Sequence, residues 1–201
     1  MPIPLSYQIS EYDCGPVSLI NALNILFDRK TISPCIIKTI YQYTLDCVDT
    51  CGRMGRKGTS PQAIQFVADW LNHYARCCNF PIQCRSLTPE EIAFTPDSPL
   101  VKALESGCVA VIRCRLEVPH YVLATGVQDG WVQLWDPYHL EVTIHKNTIH
   151  QVDDHPYRYN RLVRFDQANG TGKGYYSLGA PALREATLFC NTQTGCIPFG
   201  D

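Results

Sequence analysis

The chain lacks a strong charge of either sign. Its 17 Lys and Arg stand against 19 Asp and Glu, for a formal net charge of -2 over 201 residues. Proteins that bind nucleic acid present a basic patch or stripe to the phosphates, and this thin spread of cations offers none, so nucleic acid is not expected as a partner. No apolar run approaches the ~20 residues that cross a bilayer, and the N-terminus has no charged flank leading into an apolar stretch. These absences predict an unexported, cytoplasmic chain with no membrane partner. Internal repeats and low-complexity tracts are missing too. So is any C-x-x-C pair, although cysteine itself is abundant, at 11. Cys47 and Cys51 have three residues between them, Cys77 and Cys78 are adjacent, and Cys190 and Cys196 lie far away. With no histidine at finger spacing, this pattern argues against a structural zinc. Without an export signal, the cysteines are expected as reduced thiols rather than as a disulfide framework.

What is present divides the chain by texture. The first half reads as helical. Leu19, Leu23, Leu26 and Phe27 recur at helical spacing after Pro16, a residue suited to a first helical turn. A second helix is predicted over SPCIIKTIYQYTLD, with Ser33 as its cap, and a third opens at Thr59-Ser60-Pro61 with Ile64, Val67, Ala68 and Leu71 on one face. Residues 47–58, rich in glycine and charge, read as a loop between them. Its Arg53, Arg56 and Lys57 read as a solvated stretch, with recognition of an acidic substrate as the rival reading. After about residue 80 strands take over: PIQCRSL, then a short helix SPLVKALES closing at Gly107, then the dense β-branched run CVAVIRCRL. HYVLATGV and WVQLWD form a hairpin about Gln128-Asp-Gly130, and LEVTIHK and NRLVRFD are expected as further strands. Helices followed by antiparallel strands predict an α+β fold. The domain is expected over residues 1–165, with 166–201 as an irregular extension packed on it, containing a short helix or extended piece around ALREATLF. The GTGKG stretch at 170–174 lacks phosphate-loop spacing and reads as turn.

Cys14 is the one sulfur with a stated reason to react. It stands in Asp13-Cys14-Gly15-Pro16 at the start of the first helix, where unpaired N–H groups and the positive end of the helix dipole favour a thiolate. A nucleophilic thiolate needs a base, and the base an orienter. His120 opens the strand HYVLATGV and Asp136 ends its hairpin partner. A three-residue turn with Gly130 left-handed would set Val127 against Trp131 and Val122 against Asp136, bringing His120 diagonally next to Asp136 on one face. A two-residue turn would move Asp136 to the opposite face. Trp131 and Trp135 are expected in sheet packing.

Gln8, six residues before Cys14 of Asp-Cys-Gly, and His120-Tyr-Val with Asp136-Pro137 sixteen residues beyond the histidine, together resemble the bacteriocin-processing peptidases. These are papain-like cysteine peptidases that remove leader peptides, often behind a double-glycine site. The resemblance spans roughly residues 5–140. It implies a papain-like fold, with Cys14 as nucleophile, His120 as general base and acid, Asp136 as orienter of the imidazole and Gln8 as oxyanion donor. The expected substrate is a peptide or small amide, and no cofactor is required. Two alternatives share the residues: an acyl or amide transferase on the same site, and a peptide-binding module without turnover.

Overall fold

The computed structural model describes residues 3–194; residues 195–201, Cys196 among them, lie outside. Three helices come first: α1 (Cys14–Leu26), α2 (Pro34–Tyr43) and α3 (Pro61–Cys78). A shorter helix, α4 (Pro99–Glu105), follows strand β1 (Ile82–Ser86). Three of these helices start alike. Ser33, Ser60 and Ser98 each accept a backbone N–H of the first turn, and each is followed by proline at the first helical position. The hydroxyl satisfies an orphan donor, and the proline removes another that would have no partner.

The remaining strands are β2 (Val109–Leu116), β3 (Val118–Gln128), β4 (Trp131–Trp135), β5 (Ile149–Gln151), β6 (Arg161–Arg164) and β7 (Ala186–Asn191), with the one-turn helix α5 (Phe165–Ala168) before β7. All pair antiparallel in one sheet of order β1-β7-β2-β3-β4-β6-β5. Alternation along the strands splits the core into two layers. Val109, Val111, Leu123 and Trp135 pack beneath α1–α3, with Leu19, Leu23, Ile36, Ile64 and Leu71. Ala110, Ile112, Val122 and Leu134 face the other way, against α4 and the segment carrying Tyr176 and Leu178. Each fully buried Leu or Ile contributes about 1.5–3 kcal/mol of transfer free energy. The expected α+β architecture, helical half on antiparallel sheet, is the one found.

The structure settles four local points. Of the two turns open to Gln128-Asp-Gly130, the one between β3 and β4 has two residues: Gln128 pairs with Trp131, and both Asp129 and Gly130 have positive φ. That turn alone would put Asp136 on the wrong face. A bulge restores the pairing, because the register steps from Gly126↔Gln133 to Ala124↔Leu134 with Thr125 as the extra residue. From Leu123↔Trp135 the next step sets Val122 against Asp136.

LEVTIHK forms no strand. Gln151 takes the place of a neighbour there, accepting from Ile144 N and donating to Val142 O, and β5 begins only at Ile149. The tail is not irregular throughout: β7 lies fully buried between β1 and β2, because its apolar run has sheet neighbours on both sides. Finally, one cysteine pair is bridged. Cys108 and Cys190 extend the antiparallel β2–β7 ladder one step past Val109↔Phe189, with Cα atoms 4.5 Å apart, the separation of directly opposed residues. The other cysteines among the described residues are free.

The bridge joins positions 82 residues apart. In the chain-entropy account a loop of that size contributes about 4 kcal/mol. Reducing agent should therefore lower the melting temperature of the parent protein and leave that of a Cys108→Ser/Cys190→Ser variant unchanged. Equal melting curves for the parent with and without reductant would contradict this placement.

Candidate active site

Cys14 is the first residue of α1, as its sequence context predicts, but the helix start is unlike the other three. Asp13 occupies the cap position and makes no side-chain bond to the helix. Its carboxylate turns back instead, accepting from Ile9 N (3.1 Å), Ser10 N (2.9 Å) and Ser10 Oγ (2.8 Å). The aspartate thus folds the loop before the helix and leaves the first-turn N–H groups around Cys14 without a side-chain cap. Gly15 is fixed by crowding. A methyl there would come within 2.6 Å of Thr59 Oγ1 and 2.8 Å of its Cβ. This close approach docks the start of α3 against the start of α1.

β3 delivers His120 and the end of β4 delivers Asp136. The imidazole Nε2–H donates to Asp136 Oδ1 at 2.7 Å. Exposure falls from Cys14 (8%) through His120 (6%) to Asp136 (0%), so the pair lies behind the sulfur, away from water. Burial alone would depress the His120 pKa. The hydrogen bond and charge of Asp136, with the same two contributions from Cys14, overcome it and raise the value to about 10. Because Nε2 is engaged by Asp136, Nδ1 is the ring nitrogen left for the Cys14 sulfur.

Burial would likewise raise the Asp136 carboxyl. Its bond and attraction to His120, with the Tyr176 hydroxyl and the Tyr138 N–H, hold it below its ordinary value. Tyr176 Oη donates to Oδ2 at 2.7 Å and Tyr138 N to Oδ1 at 2.8 Å. The backbone is clamped as well: Asp136 N donates to Asn160 Oδ1, and Asn160 Nδ2 donates to Asp136 O, both at 2.8 Å.

The front of the site is a cavity of about 750 Å³. Gln8, Cys14 and His120 share it, walled by the 57–59 segment on one side and the β2–β3 turn on the other. Gln8 is anchored by its backbone N–H to Pro137 O, and its Nε2 donates to Ser10 O at 2.7 Å. An amide nitrogen has two hydrogens, so one remains for another acceptor. Its Oε1 is buried without a partner.

Of the loop cations, Arg53 pairs with Asp49 and Arg56 lies over the Tyr12 ring, whereas Lys57 lines the cavity. The site also holds a second thiol. Cys114 is paired across the ladder with His120, and burial, followed by the charges of Asp136 and Cys14, pushes its pKa well up, which keeps it protonated. Trp135 is sheet packing, as expected, with its indole N–H donated to Ser6 O. The four residues singled out in the sequence are thus brought to one place. Tyr176, Asn160 and Arg161 were missed; they lie in segments without a motif, and only the tertiary fold joins them to Asp136.

No family model and no curated protein matches the chain by sequence. Solved structures to which it is similar include the peptidase domain of Streptococcus mutans ComA, at 16% identity and a TM-score of 0.33. Another is the peptidase domain of a Streptococcus ComA described as a bi-functional ABC transporter involved in a quorum sensing pathway, at 18% and 0.38. Each match covers 67% of this chain and 78% of the other. Both neighbours are described as peptidase domains.

Gly15→Ala is the informative packing variant. In an ordinary helix this change stabilises by roughly 0.5–1 kcal/mol. Here the contact with Thr59 should reverse the sign and cost about 1–3 kcal/mol by overpacking, seen as a lower melting temperature. A raised melting temperature would contradict the close packing of α1 on Thr59.

Proposed function

We propose that the chain is a cysteine peptidase that cleaves a peptide bond through an acyl-enzyme on Cys14. The observation that carries this reading is the buried His120–Asp136 pair, set behind Cys14 at the base of an open cavity. In the reaction, Cys14 Sγ forms a bond to the substrate carbonyl carbon. The developing oxyanion is held by the Cys14 backbone N–H, which has no acceptor within the helix, and by the remaining amide hydrogen of Gln8. His120, protonated through Nδ1, gives that proton to the leaving amine as the C–N bond breaks. The thioester is then attacked by water, which surrenders a proton to Nδ1, and the released acid restores the thiolate and the imidazolium. Asp136 holds the ring in place throughout. These steps need no cofactor.

The raised His120 pKa sets the pH dependence. The imidazolium is the acid for the leaving group and persists across the neutral range, so on the alkaline side activity should be lost as pH rises through about 10. Interaction with this group also contributes stability that is fully present below the ordinary value of 6.5 and is lost as pH climbs through about 10.

Cleavage of a peptide library followed by mass spectrometry tests the assignment. Cys14→Ala should abolish turnover with the fold retained, and Gln8→Ala should slow it by roughly a hundred- to a thousand-fold, the range for losing one oxyanion donor. Turnover surviving in Cys14→Ala would remove the nucleophile, and undiminished turnover in Gln8→Ala would leave the glutamine a purely structural residue of the loop.

A further inference from the structure

Behind the pair proposed for catalysis, two consecutive tyrosines from the tail reach the site in opposite directions. Tyr175 Oη donates to Glu117 Oε1 at 3.1 Å, at the β2–β3 turn on the cavity rim. Tyr176 turns inward and donates to Asp136. The reversal is made by the backbone: Tyr176 has φ 59°, a left-handed conformation that is unfavourable for a bulky side chain. The fold holds it there through Tyr176 N to Arg115 O and Arg115 N to Ser177 O. Strain of this kind persists where surrounding contacts over-determine it, and it gathers at functional sites.

We infer that Tyr176 is a positioning residue of this site, its hydroxyl fixing the ionised Asp136 carboxylate and, through it, the charge and orientation of His120. The direction of the hydrogen bonds is determined. Arg161, itself buried, donates from Nε into the Tyr176 oxygen at 3.0 Å, and an arginine can only donate. The tyrosine proton must therefore point to Asp136 Oδ2. Arg161 is in turn fixed by its NH1 bond to Asn160 O, next to the side chain that clamps the Asp136 backbone. The result is a buried line of alternating partners, Arg161, Tyr176, Asp136, His120 and Cys14, running from β6 through the tail to α1. The other groups facing it are Cys114 from β2, a protonated thiol, Tyr121 from β3, a neutral phenol beside Cys14 whose hydroxyl donates to Glu185, and Tyr138, whose N–H bonds Asp136 and whose ring stands edge-on to His120. None of them supplies a second cation to replace Arg161 at the far end.

The inference rests on the proposed Cys14–His120–Asp136 site, so its test is read first without turnover. In a Cys14→Ala background, the titration of the His120 ring is followed by NMR with and without Tyr176→Phe. Loss of the hydroxyl removes a donor that shares the Asp136 charge, leaves that charge more fully on the imidazolium, and should move the His120 pKa up. In the chain with Cys14 intact, Tyr176→Phe should lower kcat about tenfold, the worth of one hydrogen bond to a charged group that orients the pair, with KM little changed and the alkaline limb of the pH profile moved to higher pH. An unmoved His120 titration in a folded Tyr176→Phe protein would overturn the inference. If Tyr176→Phe does not fold, the Tyr176 ring resonances of the Cys14→Ala protein answer the same question. They should titrate together with His120, and independence of the two would overturn it. The failure of the underlying reading looks different: His120 would respond to Tyr176, yet Cys14→Ala would leave turnover untouched.

Discussion

Asp136 is a carboxylate without solvent, held 2.7 Å from an imidazole that is itself almost wholly buried. An unpaired charge in that position would cost far more than the marginal stability of a domain allows. Much of the surrounding structure can be understood as the means of satisfying it. Oδ1 takes the His120 ring and the Tyr138 N–H, Oδ2 takes the Tyr176 hydroxyl, and Asn160 takes both backbone groups. Removing one partner of a buried ion pair costs about 3–5 kcal/mol, so these contacts bind distant parts of the chain into one cooperative unit. The Thr125 bulge belongs to the same set, because without it the hairpin would present Asp136 to the helices rather than to His120.

The same economy governs the front of the site. Three helices spend a serine hydroxyl on their own first turn, whereas Asp13 turns its carboxylate back on the preceding loop. The start of α1 is therefore stabilised indirectly, through a loop that also places Gln8. This leaves the first-turn N–H groups around Cys14 without a side-chain cap, as the oxyanion site proposed above requires. Gly15 lets α3 approach closely enough for Thr59 to wall that cavity.

How much of this was legible in the sequence follows from range. Helix starts are written in adjacent residues, so Ser33-Pro34 and Ser60-Pro61 were readable, as was Cys14 at a helix start. The strands of β2, β3 and β4 announce themselves by β-branched runs. Cys14, His120 and Asp136 could be found because each sits in a short distinctive context and because a hairpin makes two of them neighbours. The turn itself could not be chosen: Gln128-Asp-Gly130 fits either a two- or a three-residue loop, and the pairing of Val122 with Asp136 comes from a bulge with no local signature. Tyr176 and Arg161 were out of reach for a different reason. Tyr176 meets Asp136 across 40 residues of chain and Arg161 meets Tyr176 across 15, and nothing beside them in sequence marks them. The place of β7 in the sheet and its bridge to Cys108 depend on the same kind of distant pairing.

The dependence of Cys14 nucleophilicity on His120 is the premise of the proposed reaction. It is tested most directly by alkylating the protein with iodoacetamide at pH 6 and measuring the rate at each cysteine by mass spectrometry. The exposed thiols Cys35, Cys51, Cys77 and Cys78 serve as internal references. Cys14, though buried, should react faster than all of them, and His120→Ala should remove that advantage while leaving the reference rates unchanged. A Cys14 that reacts no faster than the exposed thiols, or whose rate is the same with and without His120, would contradict the account.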